Sequence, residues 1–171
     1  MSAKKMLVVL LTKTNAVLGV ATRRSAGAPP AGDLVGAALL ARIPDVEAGV
    51  AVPVDELTVK EVAYSDDVVR QPLAHVVDTT GTVIATSSKV SAIGAPGVKI
   101  TVTVAPAPPA DRAVLVVVDG GASHDPLKFV AKTALNTAAT DVAISGVPPG
   151  SHMVLASVDG YTPKLELKSF T

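Results

Sequence analysis

The side chains that carry most enzyme chemistry are thinly spread along this chain of 171 residues. It has three histidines, His75, His124 and His152, and no cysteine. Without cysteine there is no disulfide, no thiolate metal site and no cysteine nucleophile. The histidines stand far apart in sequence, with no i, i+4 pair and no carboxylate at ligand spacing, so no metal is expected. Ser123-His124-Asp125 spells nucleophile, base and orienter. Three consecutive residues cannot put those groups in line, and the segment reads as a polar loop. Asp66 and Asp67 are neighbours that would point apart on a strand, whereas catalytic carboxylate pairs must converge on one bond. A turn after Tyr64 is the simpler expectation. Gly120-Gly121 lacks the Lys-Ser or Lys-Thr that completes a phosphate loop. Arg23-Arg24 is able to touch an anion, but nucleic-acid binding calls for aromatics or a wider basic stripe. The expectation is therefore a protein that is not an enzyme, with no catalytic, metal or cofactor-binding residues and no cofactor.

The elements that would position any site follow from composition. Apolar residues make up 49% and charged residues 18%, a balance that excludes disorder over most of the length. Fifteen basic and fifteen acidic side chains cancel, which removes the electrostatic case for a nucleic-acid partner. Aromatics are 2% (Tyr64, Phe129, Tyr161 and Phe170), with no tryptophan. A sugar-binding face built on exposed rings is correspondingly disfavoured. Valine and alanine carry the apolar content, and valine's branched β-carbon favours strands. Residues 6–11 follow two lysines, as in a secretory leader, but the apolar run is short against the roughly 7–15 residues of such a leader and reads as a first strand. No run approaches the ~20 residues of a membrane helix. The expected location is the cytoplasm, or a particle assembled there, without membrane insertion.

Short valine-rich runs separated by Gly, Pro, Asn and Asp predict an all-β fold. Runs 6–11 and 16–22 flank Thr12-Lys13-Thr14-Asn15, a hairpin loop in which asparagine tolerates the left-handed conformation. Runs 73–77 and 82–86 flank Asp78-Thr79-Thr80-Gly81, with Gly81 in the place of Asn15. The two hairpins superpose in sequence. Asp33 is a candidate cap for a short helix over 34–41, weakened by Gly36. Strands are also expected over 50–54, 56–64, 98–104, 114–118, 142–144, 153–158 and 164–170. Three prolines in four positions at Pro106, Pro108 and Pro109 suggest a stiff linker. This predicts two β-sandwich-like domains, 1–104 and 111–171, joined by an Ala/Pro linker at 105–110.

Ile144-Ser145-Gly146-Val147-Pro148-Pro149-Gly150-Ser151-His152-Met153-Val154, followed by Asp159-Gly160-Tyr161-Thr162-Pro163, resembles the end of a carboxypeptidase-regulatory-like or PEGA-like module. The resemblance covers about residues 110–171, with His152 at the position of the family's usual aromatic. It implies a small transthyretin-like β-sandwich used as a spacer, docking surface or appended structural module, without catalysis. Gly146, Pro148, Pro149, Gly150, Gly160 and Tyr161 would then be structural turn residues. Leu127, Val130, Ala131, Ala134, Leu135 and Ala138 fall at helical spacing behind Asp125-Pro126. The resemblance instead requires a strand over 128–135 pairing with 141–144, and Asn136 to Thr140 supplies the turn, so the strand is preferred.

In a free sandwich each strand has one wet face. Met6, Leu7, Val8, Val9, Leu10 and Leu11 are apolar on both faces. Either they are central and doubly covered, or they meet other chains as an interface. The second alternative makes the chain a structural subunit, adaptor or decoration protein of a multi-subunit assembly, such as a phage-tail-like particle, with other protein subunits as partners in a homo- or hetero-oligomer. The competing reading is a glycan- or peptide-binding β-sandwich module. An extended peptide needs only a free strand edge, and a groove lined by Tyr64 or Tyr161 would favour this reading.

Overall fold

Stiff valine-rich runs become strands wherever glycine, asparagine or proline lets the chain turn. The computed structural model, which describes residues 4–21, 27–42, 48–95, 97–120, 125–134 and 136–171, is all-β with two short helices. β1 (Lys5–Leu11) and β2 (Val17–Ala21) form the first hairpin, whose Asn15 has φ 55°. α1 (Ala31–Val35) ends at Gly36, where φ is 74°. β3 (Ala38–Arg42) pairs with β4 (Gly49–Pro53), and a 3-10 turn at Val54–Glu56 leads into β5 (Leu57–Ala63). α2 (Asp66–Arg70) precedes the second hairpin, β6 (His75–Val77) and β7 (Val83–Ala85), with Gly81 at φ 85°. Then come β8 (Lys89–Gly94), β9 (Lys99–Ala105), β10 (Ala113–Val118), β11 (Leu127–Lys132), β12 (Ala139–Ala143), β13 (Gly150–Val158) and β14 (Lys164–Phe170).

These strands form sheets in the orders β2-β1-β5, β11-β10-β13-β14 and β12-β9-β8, plus the β3–β4 and β6–β7 hairpins. The four-stranded sheet is the middle layer. Leu115 and Val117 of β10, with Met153 and Leu155 of β13, pack against Leu7, Val9 and Leu11 of β1 and Val50 and Val52 of β4. The opposite face of the same strands, Val114, Val116, Val154 and Ala156, packs against Ile100 and Val102 of β9 and Val142 of β12. A third core lies beyond the first sheet. There Met6, Val8 and Leu10 meet Val68 of α2, Val77 of β6 and Val83 beside it. Strands apolar at every position are thus central strands covered twice.

Several expectations are corrected by this arrangement. The 6–11 run offers no surface to a partner. Its six side chains are at most 4% exposed, because alternate residues point into two different cores. The Ala/Pro segment 105–110 does not separate two hydrogen-bonded units. β9 before it pairs with β12 after it, Pro108 O accepts from Asn136 N at 2.9 Å, and Pro106 O accepts from the Tyr161 hydroxyl at 3.0 Å. The 127–132 segment is a strand, as preferred, but it pairs with β10 and not with 141–144. The 34–41 segment is helical only at its start, with Asp33 inside α1 and β3 beginning at Ala38. The turn expected after Tyr64 is the helix α2. β8 was not anticipated; its sequence mixes small and polar residues, and pairing with β9 fixes it.

Candidate functional site

Tyr64 is where the fold leaves a large side chain at the mouth of a cavity. It follows β5, and its backbone N–H donates to Lys4 O at 3.0 Å, which continues the β1–β5 ladder by one residue. The phenol donates to Asp66 Oδ1 at 2.7 Å. That bond and the carboxylate charge push the Tyr64 hydroxyl above its ordinary range. Lys4 Nζ lies 3.8 Å from the ring centroid, a cation–π contact that occupies one face of the ring. The residue remains 37% exposed.

A cleft of about 500 Å³ opens beside it. One wall is the end of β5, from Glu61 to Ala63, and the other is Thr82, Val83 and Ala85 at β7. Ser65, Asp67 and Val68 at α2, His75 of β6 and Gly81 of the hairpin turn complete the lining. The β7 wall is held by Asp78, whose carboxylate accepts from Thr80 N and Thr82 N, both at 2.9 Å, and from the Thr80 hydroxyl at 2.7 Å. These bonds hold the Asp78 carboxyl below the ordinary aspartate range. Glu61 pairs with Lys5 at 2.6 Å. His75 is buried, with Nδ1 2.9 Å from Gln71 O. On the other side of Tyr64 a second cleft, of about 520 Å³, is bounded by Lys4, Met6, Val20 and Val69.

Among the described residues no three His, Asp or Glu side chains converge as metal ligands. His75 is engaged with backbone rather than with a nucleophile. The remaining singled-out residues lie elsewhere. Gly146, Gly150 and Gly160 have φ of 73°, 131° and 78°, and Tyr161 is buried, so the C-terminal turn residues shape the backbone. His152 is also buried there, with Asp119 O 2.7 Å from Nδ1 and Pro148 O 2.9 Å from Nε2. Arg23, Arg24, Gly121, Ser123 and His124 lie outside the described residues. No helix among the described residues is long and apolar enough to cross a membrane.

A separate ionic cluster ties the layers together. Glu56, nearly buried in its 3-10 turn, accepts from Lys13 Nζ at 3.1 Å and from Lys128 Nζ of β11 at 2.9 Å. Lys128 also meets Asp55 at 2.6 Å. Burial works to raise the Glu56 carboxyl, and the two lysines outweigh it, holding it below the ordinary glutamate range. Nearby, the buried hydroxyls of Thr14 and Ser157 bond at 2.7 Å, docking the first hairpin loop on β13.

Sequence reasoning named Tyr64, beside Tyr161, as a groove residue and weighed Asp67 and His75 only for catalysis or metal binding; it did not single out Glu61 or Thr82, and it did not place the four around Tyr64. Those four are brought together only by the packing of β6 and β7 over the first sheet, and no spacing pattern in the chain encodes that. No protein-family model matches the chain, and no curated protein matches its sequence.

Proposed function

We propose that this chain is a non-catalytic binding module that holds a segment of another protein in the Tyr64 cleft, and so acts as an adaptor or subunit within an assembly. The observation that carries the proposal is the cleft itself, an open hollow of about 500 Å³ flanked by a half-exposed tyrosine. A protein segment is favoured over a glycan. Sugar platforms use open aromatic faces, and Tyr64, the single aromatic in this lining, already carries Lys4 on its ring. We further propose that residues 110–171 serve as a carboxypeptidase-regulatory-like structural module. The positive φ of Gly146 and Gly150 around Pro148-Pro149 supports that reading.

The test is selection of a displayed random-peptide library on the folded protein, followed by amide chemical-shift mapping with the enriched peptides. The expected result is enrichment of peptides that shift residues 61–65 and 82–85 and lose binding to Tyr64→Ala. Failure to enrich any peptide, or shifts confined to another surface, would overturn the proposal.

A further inference from the structure

Strand edges leave alternate backbone N–H and C=O groups without partners, and another chain can pair with them. β5 is the last strand of the first sheet, and β7 is the last strand of the second hairpin. Both line the same cleft. They are also the two ends of one curled surface. Beyond the β1–β2 pairing, Ala16 bridges antiparallel to Val76, and Val77 N donates to Asn15 O at 2.9 Å. The strands therefore run β5-β1-β2-β6-β7 around the third core, to which Val62, Val8, Val17, Val77 and Val83 each contribute in that order. The ring is broken between β7 and β5, and the cleft is the break.

Resting on the binding reading above, we infer that the occupant is an extended, basic peptide segment that enters as a strand between β5 and β7 and closes this ring. The mode is strand addition, in which backbone bonds give affinity and alternate side chains give specificity. β7 offers three residues, so the paired stretch is about three or four residues, roughly 10–14 Å of chain at strand rise. Ala63, Gly81 and Ala85 are exposed small residues in the lining. Charge sets the preference. Among the described residues the lining holds two carboxylates, Glu61 and Asp67, and no lysine or arginine. Glu61 is already balanced by Lys5, which leaves Asp67 as the group that selects a cationic side chain.

The test uses the full chain and blocked five-residue peptides, followed by amide shifts and hydrogen exchange. The probes are a peptide alternating valine and lysine, the same peptide N-methylated at alternate backbone nitrogens, its glutamate counterpart, and maltotriose as the saccharide. The proposal expects the lysine peptide to slow exchange of amides in 61–63 and 83–85. N-methylation should weaken binding at least tenfold, and the glutamate peptide should bind several-fold more weakly. Asp67→Lys should reverse the charge preference while leaving β1 amide exchange unchanged. Equal binding of the N-methylated peptide at the cleft would overturn strand addition and leave the binding module standing. Binding of maltotriose in place of peptide, or amides of 61–63 and 83–85 already protected without any peptide, would overturn both the occupant and the mode.

Discussion

Placing a lysine on each face of β1 tests whether the strand is covered twice within one chain. Val8 is fully buried on the side of α2 and the second hairpin, and Val9 is 3% exposed on the side of β4, β10 and β13. Val8→Lys and Val9→Lys, made separately, each lose the valine's burial, about 1.5–3 kcal/mol. Each also drives an unpaired ammonium into an apolar core, several kcal/mol more. The sum, on the order of 5 kcal/mol or above, approaches the whole stability of an ordinary domain. Val8→Lys carries an added penalty, because Lys60 stands directly opposite on β5 and like charges across a ladder repel. Val130→Lys is the control. Val130 is 60% exposed on β11, and its replacement should change stability by no more than about 0.5 kcal/mol. Urea titrations followed by circular dichroism should find both β1 variants largely unfolded before denaturant is added. A β1 variant with the wild-type midpoint would show that its face is open, and the layered arrangement of cores would be wrong on that side.

Three further substitutions probe the other observations. Gly150→Val forces a branched side chain onto φ 131° and should destabilise by about 1–3 kcal/mol; its Cβ meets nothing closer than His152 Nε2 at 3.8 Å, so an unchanged melt would mean the backbone is not strained there. His152→Phe removes the ring nitrogens that lie 2.7 Å from Asp119 O and 2.9 Å from Pro148 O, and loss of a hydrogen bond to a buried carbonyl there should cost about 1–3 kcal/mol, read by denaturant titration. Glu56→Gln should cost on the order of 1 kcal/mol, small because Lys13 and Lys128 are each more than 40% exposed, and raising salt should narrow its difference from wild type. Since folding lowers the Glu56 carboxyl, its contribution is complete above the ordinary glutamate range, about 4.3, and is lost as pH falls through that range toward the folded value. Wild type and Glu56→Gln should therefore converge in stability at acid pH, and a gap that persists there would remove the ion pairs as its cause.

The strands of this fold were legible because their cause is local. Val98, Ile100, Val102 and Val104 alternate with Lys99, Thr101 and Thr103, and three of the four valine-line positions, 100, 102 and 104, are buried in β9. The hairpin loops were legible for the same reason, since Asn15 and Gly81 both take positive φ at matching positions. The pairing of strands was not legible. Proline density at 105–110 looked like a boundary because prolines cannot join a ladder. Here they pass between β9 and β10 as a connection inside one sandwich, fastened by Tyr161 and Asn136. A proline-rich run shows that a segment is not a strand, and composition alone carries no information on whether its two ends belong to the same core.

The same distinction bears on where the proposed partner segment would reach this protein. Continuous apolarity in β1 suggested surface for other chains, yet it is what a central strand needs to fill a core on each side. The residues that remain available are those whose side chains looked least informative. Ala63 and Ala85 are exposed at strands that end their sheets, and Asp67 carries its charge at the rim of the gap between them. A protein with few aromatics and balanced charge has little side-chain chemistry to spend on recognition. Its backbone edges supply donors and acceptors regardless of composition. With most of its valines buried in three cores, this sequence makes the gap between β5 and β7 the place where the proposed strand addition would draw on backbone rather than side-chain chemistry.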